Sequence, residues 1–373
     1  MVSMAENAFM PVRLISGKNC VAENAAILSS FGKKCLIVTG KSSAKLSGAL
    51  DDAVSALESQ GIAYSVFDEI SQNPLASSVI NGGAAAREFG AGFILGIGGG
   101  SPLDSAKAIA LCAANPQFDI DGLYNRKIPS PALPVVLIGT TSGTGSEVTG
   151  VSVLTNDKNM TKKSISGADC YAAVSFLDPR YTYSVGFNST VSTALDAFAH
   201  ATESRFSPKC GLLARQYCNT ALPLIYKGLC ELRDGGTEPS EATRDNLYYG
   251  SIWAGMALNI CGAAFPHTVG YILTENFGIP HGKACTAFFE PFIKKAKSAA
   301  PEVYADYLKA VGTDEETLIE LIKSLTDVRG LEMTDAQISE WCARYSGSVK
   351  NFLNTPGGYT QSEAETNLAD LRK

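Results

Sequence analysis

Two kinds of hydrophobic pattern divide this chain. In the first half, short apolar runs rich in β-branched residues alternate with longer stretches of helical spacing. KCLIVT (34–39) reads as a buried strand ending at Gly40, followed by AYSVF (63–67), GFILG (92–96) and LPVVLIG (133–139). Residues 46–61 and 77–89 place their apolar positions at helical intervals. Strands alternating with helices in this way predict a parallel sheet covered by helices on both faces. Residues 151–178 read as short strands and turns, closing at FLDPRY, where Asp178 and Pro179 mark a break.

Beyond that break the pattern becomes helical throughout. Residues 212–229, 240–261, 282–299, 300–311, 314–324 and 334–346 fit helical spacing, and a last helix follows a Pro-Gly-Gly turn, capped by Thr360 or Ser362. At 373 residues the chain exceeds what one core usually serves. An α/β domain of residues 1–186 followed by an all-α domain of residues 187–373 is therefore expected.

Two polar loops interrupt the α/β half. GIGGGSPLDSAKAIALCAAN follows the third predicted strand, and Gly98, Gly99 and Gly100 let the backbone turn tightly and approach a ligand. Ser101 suits an N-cap, Pro102 the first helical position, and Asp104 completes a capping box. A helix opening there turns unpaired N–H groups towards the place a pyrophosphate would take. In isolation a bare tight turn explains the glycines equally well. The next strand runs into TTSGTGSEVTG (140–150), with six hydroxyls and three glycines in eleven residues. Such a loop hydrogen-bonds phosphate or ribose without adding charge. Two loops of this kind at strand ends favour a nucleotide.

The helical half holds the chain's three histidines. Asp196 precedes His200 by four residues in TVSTALDAFAHATES, so on a helix both side chains leave one face. His267 and His281 follow in AAFPHTVGYILTENFGIPHG. One carboxylate and three imidazoles suit a borderline divalent ion such as Fe²⁺ or Zn²⁺. A buried histidine with one hydrogen bond is the plain alternative for each alone, and Cys285, four residues after His281, reads as a packing thiol.

Composition narrows the setting. A net charge of −6 gives no reason to expect nucleic acid or an anionic membrane surface, and no apolar run approaches the ~20 residues needed to span a bilayer. MVSMAENAFM has no basic region followed by an apolar run, so no signal peptide is expected. Ten cysteines without a CxxC pair read as reduced thiols, consistent with a cytoplasmic location.

Taken together, these motifs resemble the iron-containing (group III) alcohol dehydrogenase family. Its GGGSxxDxAK pattern matches Gly98 to Lys107, its TTxGTGSExT matches Thr140 to Thr149, its D-x-x-x-H matches Asp196 and His200, and its H-x13-H matches His267 and His281. The tail NTPGGYTQSEAETNL is similar as well. The resemblance covers nearly the whole chain. It implies a Rossmann-like NAD(P)-binding domain followed by an all-helical metal-binding domain, an arrangement shared with dehydroquinate synthases. It also implies a catalytic metal on Asp196, His200, His267 and His281, Fe²⁺ by family habit with Zn²⁺ as its substitute. The cofactor would lie along Gly98, Gly99, Ser101 and Asp104, with Thr140, Thr141 and Thr144 on adenosine or phosphates and Lys163 on a cofactor oxygen. Gly40 and Asn73 are counted with these cofactor residues. The implied reaction passes a hydride between NAD(P)H and a small primary alcohol or diol, in a homodimer.

Two positions depart from the family pattern. Tyr271 stands where many members carry a further histidine, so every imidazole is assigned to the metal. Gly40 stands where NAD-preferring members often place an aspartate on the ribose diol; with Lys41, Ser42, Ser43 and Lys45 nearby, NADP(H) is expected to be preferred and NAD(H) tolerated. The alternatives are glycerol dehydrogenase-like polyol oxidation and a dehydroquinate synthase-like lyase. The lyase would call for extra Lys, Arg and His around the metal, and the helical half offers no free histidine.

Overall fold

A computed structural model describes residues 6–235 and 238–372. The chain divides into two compact units, one of Met10–Val185 and one of Gly186–Lys373 to which the amino-terminal residues through Phe9 belong.

The first unit is built on a six-stranded parallel sheet. Its strands are β1 (Arg13–Ser16), β2 (Lys34–Thr39), β3 (Ala63–Phe67), β4 (Phe93–Gly98), β5 (Val135–Gly139) and β8 (Val174–Leu177), ordered β1-β8-β5-β4-β2-β3. An antiparallel ribbon of β6 (Val151–Asn156) and β7 (Thr161–Ser166) stands apart. The inner strands are apolar runs because both of their faces are covered. In β2, Cys35 and Ile37 pack with Ala53 and Leu57 of α1 (Ala49–Ser59). The alternate residues Leu36 and Val38 pack with Val79 of α2 (Ala76–Phe89) and Ile109 of α3 (Gly100–Ala114). The strand order reverses between β2 and β4, which makes the carboxyl ends of these strands the place where open α/β sheets bind ligands.

Two local details differ from expectation. The predicted helix over 46–61 begins only at Ala49, because Gly48 turns the chain with φ of 78°. The edge strand β1 was not predicted: its four residues are half exposed and carry neither an apolar run nor a clean alternation.

The second unit is all helix among its described residues. Its centre is α4 (Phe187–Phe206), in which Thr193 is the one residue from Thr190 onwards that is not buried. A helix buried all round needs small residues to admit its neighbours, and Ala194, Ala197, Ala199 and Ala201 supply them. Around it lie α5 (Leu212–Asp234), α6 (Glu241–Cys261), α7 (Phe265–Phe277), α8 (His281–Thr286), α9 (Phe289–Ala299), α10 (Pro301–Val311), α11 (Glu315–Thr326), α12 (Asp335–Cys342), a single turn α13 (Lys350–Leu353) and the terminal α14 (Gln361–Asp370). The single helix predicted over 282–299 is two, α8 and α9. Thr360 caps α14, with Glu363 completing a capping box. At the other end of the chain, the Glu6 carboxylate accepts hydrogen bonds from the Leu213 and Ala214 N–H groups at 2.8 and 2.9 Å, capping α5. Among the described residues no single helix is long and apolar enough to cross a membrane.

Candidate metal and nucleotide sites

The four predicted metal residues converge within the helical unit. Asp196 and His200 lie one turn apart on α4, His267 sits in the first turn of α7, and His281 opens α8. The Nε2 atoms of His267, His200 and His281 stand 3.4, 3.9 and 3.9 Å from a single oxygen, Asp196 Oδ1. Donors bound at ~2.1 Å to one tetrahedral ion lie about 3.4 Å apart, so the spacing is that of ligands around a common centre. The His200 and His267 rings stack with centroids 4.4 Å apart. Asp196 Oδ1 and His267 Nε2 are buried and make no hydrogen bond, which is costly for polar atoms unless something else binds them. Burial pushes the Asp196 carboxyl up, but the three imidazoles outweigh it and hold the group well below the usual carboxylate range. Burial lowers His267, whereas Cys285, Glu203 and Asp196 raise it well above an ordinary imidazole. Cys285 faces the same cluster, and burial pushes its thiol up to about 11.

Side chains not singled out from the sequence hold this arrangement. Glu203 lies on the face of α4 that carries Asp196 and His200. Its Oε1 is 2.5 Å from His267 Nδ1, and its Oε2 accepts the Ala264 N–H at 2.5 Å. A carboxylate only accepts, so Nδ1 carries a hydrogen, and in the neutral ring that binding an ion requires it is Nε2 whose lone pair is turned towards Asp196. Thr355 Oγ1 accepts the Phe265 N–H at 3.1 Å, and Asn354 Nδ2 donates to the carbonyls of Cys261, Gly262 and Ala263. The NTPGGY segment thus clamps the start of the helix bearing His267. Gly282 brings α8 against α4: a Cβ there would lie 1.8 Å from the Ser192 carbonyl oxygen. Tyr271 stacks on His281, with centroids 5.2 Å apart and planes at 11°. The spacing of 196, 200 and 203 along one helix was the signal that could have revealed Glu203.

In the α/β unit the two polar loops meet. β4 and β5 end in register, Gly98 opposite Gly139, and the Thr140 N–H donates to the Gly98 carbonyl at 2.9 Å. A Cβ on Gly100 would lie 2.6 Å from Thr144 Cγ2, and one on Gly99 3.0 Å from Thr141 Cγ2. Gly98, Gly99, Ser101, Thr140, Thr141 and Thr144 are therefore gathered at the carboxyl ends of β4 and β5. The Thr140 hydroxyl is buried without a hydrogen-bond partner.

The expected capping box does not form. α3 begins at Gly100 with Gly99 as N-cap and no side-chain cap, so Ser101 and Pro102 are already inside the helix. Helix geometry leaves the Gly100 and Ser101 N–H groups without intrahelical acceptors, as an anion site requires. Asp104 instead turns inward: Oδ1 accepts from Ser146 Oγ at 2.6 Å and Oδ2 from the Val153 N–H at 2.8 Å. These hydrogen bonds tie the start of α3 to Ser146 of the second loop and to β6. Gly40 ends β2, where a Cβ would lie 3.2 Å from the Ile70 carbonyl oxygen, and Lys41 pairs with Asp68 at 3.0 Å in an exposed bridge. Asn73, with φ of 56°, accepts through its carbonyl from Thr155 Oγ1 at 3.2 Å. Lys163 is exposed on β7, its ammonium 4.6 Å above the Tyr124 ring.

Comparison with known proteins agrees with both halves of this picture. The model of the iron-containing alcohol dehydrogenases matches residues 11–179, and that of the family's C-terminal domain matches residues 190–336. The chain belongs to the iron-containing alcohol dehydrogenase family. It is 32% identical over 325 residues to the sulfoacetaldehyde reductase of Bilophila wadsworthia (strain 3_1_6), covering 85% of this chain and 81% of that one. It is 30% identical over 319 residues to the 1,3-propanediol dehydrogenase of Klebsiella pneumoniae, covering 84% and 81%. A crystal structure of sulfoacetaldehyde reductase from Bifidobacterium kashiwanohense in complex with NAD⁺ superposes with a TM-score of 0.88 at 27% identity, covering 99% of both chains. This alcohol dehydrogenase is an oxidoreductase of a metal- and NAD-binding family, with the α/β and helical halves of its fold neighbours.

Proposed function

We propose that this alcohol dehydrogenase interconverts small aldehydes and their primary alcohols or diols, with NADP(H) preferred over NAD(H) and one divalent ion held by Asp196, His200, His267 and His281. The observation that carries the reading is the convergence of three imidazole nitrogens on Asp196 Oδ1, with that oxygen and His267 Nε2 buried and without a hydrogen-bond partner. An ion bound there supplies a Lewis acid for the oxygen of alcohol or aldehyde. Glu203 sets the His267 tautomer, and Tyr271 braces the ring of His281, whose side chain at 27% exposure is the most accessible of the four. With all three histidines in the cluster, no imidazole remains to act as a general base. The relatives named for sulfoacetaldehyde and 1,3-propanediol share a small, functionalised two- or three-carbon substrate, and that class is carried over here.

Cofactor preference follows from Gly40. An aspartate there would repel a 2′-phosphate, whereas Lys41, Ser42, Ser43 and Lys45 are exposed beside it. The Lys41–Asp68 bridge is solvent-exposed and worth little, so a phosphate could draw the ammonium away. The test is the initial rate of NADPH and NADH oxidation over a panel of small aldehydes, using anaerobically purified protein reloaded with Fe²⁺ or Zn²⁺. Metal-dependent turnover with the larger kcat/KM for NADPH is expected. A ratio favouring NADH would overturn the cofactor preference. No turnover with any aldehyde, despite one bound ion per chain, would overturn the aldehyde reading.

A further inference from the structure

We propose that Cys210 is a peroxide-reactive thiolate, held beside the buried Arg205 guanidinium and able to close a reversible disulfide with Cys218 or Cys261. The three cysteines meet in the helical unit, apart from the metal cluster. Arg205 lies in the last turn of α4, Cys210 in the loop of residues 207–211, Cys218 in the second turn of α5, and Cys261 is the last residue of α6. The Cys218 and Cys261 thiols face the Cys210 sulfur and act on it as hydrogen-bond donors. Cys210 is half-buried, whereas Cys218 and Cys261 are fully buried. Cys210 is thus the member of the trio that a small solute can reach.

A second observation is independent of the cysteines. Arg205 is 5% exposed, its Nε is buried without a hydrogen-bond partner, and among the described residues no carboxylate forms an ion pair with it. A buried cation is costly without an anion. Cys210 can supply that anion, because the charge of Arg205 acts on both Cys210 and Cys218. The facing thiols of Cys218 and Cys261, then Arg205 and Arg215, outweigh burial and hold Cys210 well below an ordinary thiol. Cys218 is driven the other way by Cys210 and by burial, and so is Cys261, with Glu6 adding to the rise. One thiolate between two thiols is what an attacking cysteine and its resolving partner require.

The oxidant is hydrogen peroxide. The Cys210 thiolate attacks one peroxide oxygen, the O–O bond breaks, sulfur is oxidised by two electrons to Cys210–SOH, and hydroxide leaves. The neighbouring thiol then attacks that sulfur, so an S–S bond forms as the S–O bond breaks and water is released. The sum is Cys–S⁻ + Cys′–SH + H₂O₂ → Cys–S–S–Cys′ + H₂O + OH⁻. A dithiol reductant reverses the linkage by exchange.

The experiment uses the full-length protein reloaded with Zn²⁺, so that no redox-active ion meets the peroxide. At pH 6, iodoacetamide should modify Cys210 at least ~10-fold faster than Cys230, the other half-buried cysteine. Arg205→Met should remove most of that advantage, and Arg205→Lys, which keeps the charge, should restore part of it. After peroxide, peptide mass mapping should find Cys210 linked to Cys218 or Cys261, and dithiothreitol should release it. Cys210→Ser should lose the linkage with no Cys218–Cys261 bond in its place. A wild-type Cys210 that alkylates no faster than Cys230, or that forms no disulfide under peroxide, overturns the proposal. Both readings come from the unmutated protein, so they decide the matter even if the variants do not fold.

Discussion

Each unit of this alcohol dehydrogenase buries a knot of charge inside a short motif, and the two knots are opposites. In the α/β unit, fully buried Lys107 donates to Ser146 Oγ and to the carbonyls of Thr149 and Val151 at 2.7, 2.9 and 2.9 Å. An ammonium has three donors, and here all three are used. Asp104 nearby spends both oxygens on Ser146 and Val153. In the helical unit, Asp196 Oδ1 and His267 Nε2 are equally buried and have no such partner. A saturated buried network is a strut, because nothing is left over for a ligand. An unsaturated one costs stability unless something outside the chain completes it. The difference separates framework from site more sharply than burial or motif strength does.

The comparison breaks most visibly at Asp196. Zinc at ~1,000 times its Kd should stabilise the wild-type fold by about 4 kcal/mol over chelator-treated protein. Asp196→Asn should lose this difference and most of its bound metal by elemental analysis. An undiminished zinc-induced rise in melting temperature would show that the cluster is not the ion's site.

Lys107→Met makes the contrasting case. Removing one partner of a buried charged network typically costs 3–5 kcal/mol, here because Asp104 and the carbonyls of Thr149 and Val151 lose their cation. Urea unfolding should show that loss equally in metal-loaded and metal-free protein. A loss confined to the metal-loaded form would mean that the strut is no mere strut.

Glu147, fully buried beside this strut, gives the next largest effect. Burial pushes its carboxyl up from 4.5 to about 7; Lys107 pulls it down and Asp104 pushes it up further. Between those values the folded state holds a proton that the unfolded state has released. Stability therefore falls as pH rises from about 4.5 to about 7, by up to ~3 kcal/mol. Glu147→Gln should abolish this fall, so the variant should gain on wild type between about pH 5 and about pH 7 and level off above that. A constant difference in unfolding free energy across that range would contradict the assignment.

The two knots also differed in how far they could be read from the chain. Strands β2, β4 and β5 were legible because burial on both faces makes them unbroken apolar runs, while the half-exposed edge strand β1 offered no such run. Asp196 and the histidines stood out because a chain with only three histidines places them at ligand-like spacing. Asp104 was read as a local cap because Ser101 lies three residues before it. Its real partners, Ser146 and Val153, are 42 and 49 residues away, a pairing that no local pattern reveals. Glu203 stayed hidden for the complementary reason: a glutamate on a helix ordinarily reads as a solvated position.

Glu203 supplies the finest test, because its carboxylate is saturated where Asp196 Oδ1 and His267 Nε2 beside it are not. Its two oxygens accept from His267 Nδ1–H and from the Ala264 N–H. In Glu203→Gln the amide oxygen can accept only one of these bonds, and the NH₂ group must face the other donor. If the NH₂ faces His267, the imidazole escapes the clash by moving its proton to Nε2, the atom turned towards Asp196, where a proton blocks a metal. If it faces Ala264, the start of α7 must shift and His267 with it. Either way the variant should fold and still bind zinc, with affinity weakened ~10–100-fold as for other partners of ligand histidines. Glu203→Ala, which removes the clash along with the hydrogen bonds, would separate tautomer control from simple support. A Glu203→Gln protein with unchanged zinc affinity would mean that the carboxylate braces the helix without setting the histidine's proton.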